Sequence, residues 1–477
     1  MIFASLFFVC FFFVLCLVIY NRMSTIRGKN IVLLVFSMIF YAWGGAQYLA
    51  LLVGMTFVAW ICAREIERHE ERTVRLVLFI SACVVLIGGL CIFKYLGFFL
   101  EGVQFLFGVP EEIPAIVLPI GISFYTFQLL SYVVDVYRKE VEAQKRFWML
   151  LLYAGLFHQC VAGPIVRYSN VAAELEHRRA KMSEVAEGAW RFSSGLAKKA
   201  ILANGCALVA DTFLPLEGTA LESVPALGIW GGIIGYTLQI YLDFSAYSDM
   251  AIGMGLMVGL HYKENFNYPY IASSVQDFWR RWHISLSSFF RDYVYIPLGG
   301  NRGGEAKTIR NLFVVWALTG LWHGAAWNYV VWGLYFFCFL VLERFLKRRK
   351  IKFPPVVRNI YTLLVVAFGW VLFRFTDFSD VGIVVKGMFG LNGNGFSDLE
   401  TKIFFQNHCF LLLFCIICST PFFAMLREQF RYVGRVWEGR FGRIAYLAGA
   451  LVPVVLIILS VMALVGNSYN PFLYFQF

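Results

Sequence analysis

Runs of about twenty apolar residues recur along the whole chain, and nothing else in the sequence restricts its fold as severely. A helix rises 1.5 Å per residue, so about 20 apolar residues cross the hydrocarbon of a bilayer. Lipid offers no hydrogen-bond partner to a backbone, so each such run must close its own bonds as a helix. The runs lie at 2–20, 31–46, 49–63, 76–96, 114–134, 193–213, 227–258, 327–345, 357–375, 403–424 and 444–465. They predict an all-α integral membrane protein with about 11 spanning helices. Composition agrees: 60% of the 477 residues are hydrophobic, against about 45–50% in soluble domains. Aromatic residues reach 18%, with 49 Phe, which suits lipid-facing surfaces and interfacial belts. No break in composition divides the chain, so residues 1–477 read as one membrane-embedded domain.

The first run is longer than the 7–15 residues of a signal-peptide core and follows no basic flank, so it reads as a retained helix. The runs at 31–46 and 49–63 are joined through Trp43-Gly44-Gly45-Ala46-Gln47, which predicts a tight hairpin. Two pieces, 148–162 and 309–323, are too short to span alone and read as re-entrant or broken helices, tolerated where protein surrounds them. The loops alternate in charge. Arg22, Arg27 and Lys29, then Arg64 to Arg75, then Arg138 to Arg146, the 346–358 loop and the 425–443 loop are basic. The stretches 97–114 and 214–226 carry acids and no base. The positive-inside rule puts the basic set in the cytoplasm and both termini outside. The count closes if 309–323 and 327–345 form a hairpin rising from the cytoplasm, with His323 near its deep end. The net charge of +11 is thereby assigned to cytoplasmic loops at a lipid surface, and no nucleic-acid partner is implied. The eleven Cys sit mostly in apolar runs and read as small buried hydrophobes, Cys415 and Cys418 included.

Ionisable groups at membrane depth cost about 2.5–3.5 kcal/mol on insertion scales and call for a reason. Three clusters stand out. In the 227–258 run, Asp243 and Tyr247 share one helical face, as do Ser245 and Asp249. They read either as the polar wall of a substrate cavity or as hydrogen bonds between helices. In the second, Asp277, Trp279, Arg280, Arg281 and His283 follow each other closely. As a helix, Asp277 reaches Arg280 or Arg281, and Trp279 stacks one turn from His283. An interfacial helix explains the Trp and Arg but not the imidazole. The third, around Trp316, Gly320, Trp322, His323, Gly324, Trp327 and Asn328, places a histidine in neutral surroundings. The glycines leave room for a ligand or for a close backbone. Desolvation favours the neutral imidazole, which can take a proton from a hydroxyl attacking a thioester; a hydrogen bond between helices is the other reading. The turn through Gly299, Gly300, Asn301, Arg302, Gly303 and Gly304 could offer N–H groups to an anion, or be a turn only.

No G-x-S-x-G elbow, Walker loop or H-E-x-x-H pair is present. The residues do resemble the bacterial membrane-bound O-acyltransferase family, most closely its alginate O-acetylation branch. The resemblance is carried by Glu264-Asn265-Phe266-Asn267-Tyr268-Pro269-Tyr270, by Asp277 to His283, and by Pro297-Leu298-Gly299-Gly300-Asn301-Arg302. It extends to Ala162-Gly163-Pro164, Asp243-Phe244-Ser245, Leu321-Trp322-His323-Gly324 and Tyr469-Asn470-Pro471. It implies helices around a transmembrane tunnel in the bacterial cytoplasmic membrane. It implies catalysis by His323 with His283 as the second family histidine, and a substrate site drawing on Asp243, Ser245, Trp279, Arg280, Arg281, Asn301, Arg302, Trp322 and Asn328. The implied donor is acetyl-CoA or another thioester, with no tightly bound cofactor and no metal. An extracytoplasmic acetyltransferase-like partner would complete transfer to a polysaccharide. The turn 298–302 separates this branch from relatives that D-alanylate teichoic acid. His158 and Cys160 depart from the expected pattern and carry no assigned role. D-alanyl transfer to a cell-wall polymer, and a proton-coupled transporter without enzymatic activity, are the competing functions.

Overall fold

A computed structural model describes residues 3–108, 117–160, 163–436 and 440–466. Every regular element among them is helical, and six helices are long and apolar enough to cross a bilayer: Ala46–Arg68, Arg72–Phe107, Trp327–Arg348, Pro355–Arg374, Leu399–Cys418 and Gly449–Gly466. Their outward faces carry large apolar side chains such as Phe57, Val84, Phe345, Leu364, Phe410 and Ile458. Water would not tolerate so much exposed hydrocarbon, and lipid does. The protein is an all-α, multi-pass membrane protein.

The chain forms two compact units. One comprises Met1–Phe192, Ser248–Glu264 and Ser288–Pro297; the other comprises Ser193–Tyr247, Asn265–Ser287 and Leu298–Phe477. In the first unit the hairpin around Gly45 forms as expected: helices Ile26–Ala42 and Ala46–Arg68 meet at that glycine, whose φ of 135° only a residue without Cβ adopts easily. The 148–162 piece is broken, into Phe147–Gly155 and Phe157–Cys160. Arg191 bridges Asp249 at 2.8 Å and also Glu264, so Asp249 serves an ion pair within this unit.

Several boundaries differ from the sequence reading. The 76–96 run continues as one helix, Arg72–Phe107, past Glu101 and into the first part of the 97–114 stretch read as a loop. Its 36 residues make about 54 Å of helix, well beyond the hydrocarbon thickness. The 193–213 run is the tail of Met182–Ala197, a π-helical turn Lys198–Ala203 and the helix Asn204–Phe213. The 2–20 run likewise opens with a π turn, Phe8–Phe12. The basic 425–443 loop begins instead as a helix, Phe422–Val436, that exposes Phe422, Met425 and Phe430. Its apolar and charged residues alternate at helical spacing, and a loop reading based on charge alone misses that. Ala162, Glu111, Glu112, the run 469–475 and Phe477 lie outside the described residues.

In the second unit, Glu305–His323 and Trp327–Arg348 form the expected helical hairpin. Small residues let its backbones touch. A Cβ on Gly320 would lie 2.4 Å from the Tyr329 carbonyl oxygen, and one on Gly333 would lie 2.4 Å from that of Trp316. One on Gly324 would meet the Tyr329 ring at 2.1 Å. Of the two roles open to Gly320 and Gly324, the close approach is the one they fill. The open end is tied by Arg344 and Arg348, which donate to Glu305 at 2.8 and 3.3 Å. The hydrogen bond from Arg344 holds the Glu305 carboxyl below its ordinary range.

Candidate functional site

The hairpin tip and the segment before it bring the two histidines together. His323 ends the helix Glu305–His323, followed by Gly324 in extended conformation. Its ring lies 5.0 Å from Trp322, 4.9 Å from Trp332 and 5.3 Å from Phe373, each edge to face. The His283 ring lies 5.7 Å from the same Trp322 and 4.7 Å from Phe244. Trp322 therefore contacts both imidazoles. His283 is 1% exposed and His323 7%, so both lie in a dry aromatic enclosure. The carbonyl end of a helix carries partial negative charge. His323, at that end, is placed to be stabilised whenever it accepts a proton.

The segment 275–290 is not one helix. It breaks into Val275–Arg281 and Ile284–Phe290, with His283 between them at φ 43°. Histidine is among the side chains that enter this left-handed region more often than most. Asp277 does reach Arg281, at 3.1 Å, while Arg280 is exposed. The break turns Trp279 away from the position one helical turn before His283. Its ring packs on Trp316, Trp332 and Phe336 instead. Trp316 thus stands behind Trp332, and Trp327 is 64% exposed; Trp332 and Phe373 take the places beside His323 expected of them.

Asn265 fixes His283. Its Oδ1 accepts from the Ser285 backbone N–H at 3.1 Å and the Ser285 hydroxyl at 2.8 Å, and lies 3.2 Å from His283 Nδ1. A backbone N–H only donates, which identifies this atom as the amide oxygen. Nδ1 of the neutral ring therefore carries the proton, and Nε2 presents the lone pair. Asn265 is fully buried and its carbonyl accepts from Ile284 N at 2.9 Å, so one residue pins the backbone and the tautomer. Nothing local in sequence links residues 18 apart; only the fold does.

The remaining candidates fall in three places. Asp243 forms an ion pair with Lys199 at 2.9 Å, the two side chains 2% and 1% exposed. Lys198 reaches Ser245 at 3.4 Å. The π turn thus grips the stretch of helix that sets Phe244 against His283. Two lysines in an apolar run were the available signal for this pair. Asn328 is buried and donates to the carbonyls of Leu372 and Phe373 at 3.3 and 3.4 Å, fixing the hairpin tip to the helix Pro355–Arg374. Asn301 and Arg302 are exposed in the glycine turn, which Asn311 anchors through Leu298 O and Gly300 O at 3.1 and 3.0 Å. They lie before the start of Glu305–His323, whose 19 residues put about 28 Å of helix between them and His323.

This arrangement can take a proton from a hydroxyl in a site shielded from water. Comparison with known proteins gives it a context. The membrane-bound O-acyltransferase family matches residues 146–379, which include both histidines. Over its full length the chain is 36% identical to the whole of a "Probable alginate O-acetylase" of Azotobacter vinelandii. It is 33% identical to the peptidoglycan O-acetyltransferase of Helicobacter pylori, over 77% of this chain and 75% of that one. It is 29% identical to the teichoic acid D-alanyltransferase of Bacillus subtilis, over 54% of this chain and 68% of that one.

Proposed function

The chain belongs to the membrane-bound O-acyltransferase family, and from that premise we propose that it transfers an acetyl group from a cytoplasmic thioester, acetyl-CoA, towards hydroxyls of an extracytoplasmic polysaccharide such as alginate. Its place is the bacterial cytoplasmic membrane. The observation that carries the reading is the pair of buried imidazoles in contact with one tryptophan, one of them at a helix C-terminus. His323 takes the proton of the acceptor hydroxyl as its oxygen attacks the thioester carbonyl. The thiolate then leaves and recovers a proton from the imidazolium. His283, with its tautomer set by Asn265, lines the enclosure and orients donor or acceptor. A hydroxyl acceptor on a polysaccharide is supported by full-length likeness to an alginate O-acetylase. Likeness to the D-alanyltransferase covers 54% of the chain, which ranks that chemistry second.

The test uses purified protein in lipid nanodiscs with labelled acetyl-CoA and a polysaccharide fraction. General-base catalysis contributes about 10²–10⁴-fold, so His323→Ala should lose about that factor in transfer while still reaching the membrane. His283→Ala should lose less. Wild-type turnover by a folded His323→Ala protein would sink the assignment.

A further inference from the structure

Among the described residues, the indole N–H groups of Trp279 and Trp332 in the aromatic enclosure meet no hydrogen-bond acceptor. Trp332 is 0% exposed and Trp279 7%, and their rings are 5.5 Å apart. A buried indole ordinarily finds an acceptor, and a buried donor left unmet costs about 1–3 kcal/mol. Packing alone does not call for that cost. Phe336 and Phe373 fill neighbouring places in the same enclosure with no polar atom, at 5.2 and 5.3 Å from Trp332. Trp332 also differs from Trp279 in standing directly against His323, 4.9 Å between ring centres and 78° between planes. Rings this close can serve two substituents of one acyl carbon, the attacking hydroxyl at one and the carbonyl oxygen at the other.

We propose that the Trp332 indole N–H is the hydrogen-bond donor for the acyl carbonyl oxygen, and that it stabilises the oxyanion formed during transfer. This rests on His323 acting as the base. As the acceptor oxygen bonds to the thioester carbon, its proton passes to His323 and the carbonyl π pair moves onto oxygen. That oxyanion is held by the Trp332 N–H. When the C=O bond re-forms, the C–S bond breaks and the thiolate takes the proton from His323, giving ester and thiol. A donor fixed in a dry site needs no reorganisation as charge develops. An indole also suits an acyl-transfer site for a second reason: it donates but has no lone pair to be acylated, unlike a hydroxyl or an amine.

The clean test replaces Trp332 with β-(3-benzothienyl)alanine by codon suppression, which keeps the bicyclic shape and exchanges N–H for sulfur. Loss of one oxyanion donor costs about 10²–10³-fold. The isostere should lose about that in kcat, with KM and melting temperature near wild type; Trp332→Phe should lose at least as much. The same isostere at Trp279 should lose less. Wild-type kcat in the Trp332 isostere overturns the proposal, and so does a loss confined to KM, which would mark ground-state binding only. His323→Ala separates the two readings. If it keeps wild-type turnover, the base assignment fails; if it is inactive while the isostere is fully active, the oxyanion donor alone fails.

Discussion

Lys199 and Asp243 put two charges, each at most 2% exposed, 2.9 Å apart in the second unit. Removing one partner leaves the other charged and desolvated, which costs about 3–5 kcal/mol, whereas replacing both by apolar residues is often neutral. Lys199→Met should therefore lower the melting temperature in detergent markedly, and Lys199→Met with Asp243→Leu should recover most of it. If the double variant melts as low as the single one, the pair is not what stabilises this helix contact. Asp243 and Ser245 drew notice in sequence because ionisable and hydroxyl groups are conspicuous in an apolar run. Their partners did not, since Lys198 and Lys199 are separated from them by more than forty residues. His283 shows the same limit: its imidazole was conspicuous, but the amide that selects its tautomer belongs to a loop 18 residues away.

At the scale of elements, the hairpin Glu305–His323 and Trp327–Arg348 holds His323 by backbone contact, so its glycines are unforgiving. Gly320→Ala would drive a Cβ to 2.4 Å from the Tyr329 carbonyl oxygen, an atom that cannot swing aside. Overpacking of this kind costs about 1–3 kcal/mol. The variant should melt lower and transfer more slowly, because any separation of the helices moves His323 from Trp332. Gly382→Ala, where a Cβ meets nothing within 4 Å, should do neither. Equal melting of the two variants would refute the close-packing account. The hairpin itself was legible in sequence, because the alternation of basic loops closes only if 309–323 and 327–345 pair. The break at His283 was not. The residues from Asp277 to Leu286 can all join a helix, and a left-handed residue is imposed by what Asn265 and Phe244 offer the imidazole rather than by any local breaker.

At the scale of the whole molecule, the connections between described helices are short; the longest, between Arg72–Phe107 and Ile122–Tyr137, has 14 residues. A loop of that size cannot enclose a polymer chain, and this motivates a partner outside the membrane that completes transfer. Protein purified alone should acylate a small hydroxyl acceptor yet modify polysaccharide far more slowly than native membranes do, with the rate restored by a co-purifying extracytoplasmic protein. Full-rate polymer acetylation by the isolated chain would remove the need for that partner.

The sequence by itself determined that this is an all-α membrane protein and which histidines stand out in it, because apolar runs of about twenty residues meet hydrocarbon as self-bonded helices and make an ionisable group among them conspicuous. It carried the family as well, through motifs spread over the chain. Tertiary structure decided the rest: that Trp322 contacts both imidazoles, that Trp332 and Phe373 rather than Trp316 and Trp327 flank His323, that Lys199 answers Asp243, and that Asn301 and Arg302 lie a helix length from His323. Periodicity reports which face a side chain occupies on its own helix. The partner across that face is set by how distant helices pack, and the chain's local pattern holds no record of it.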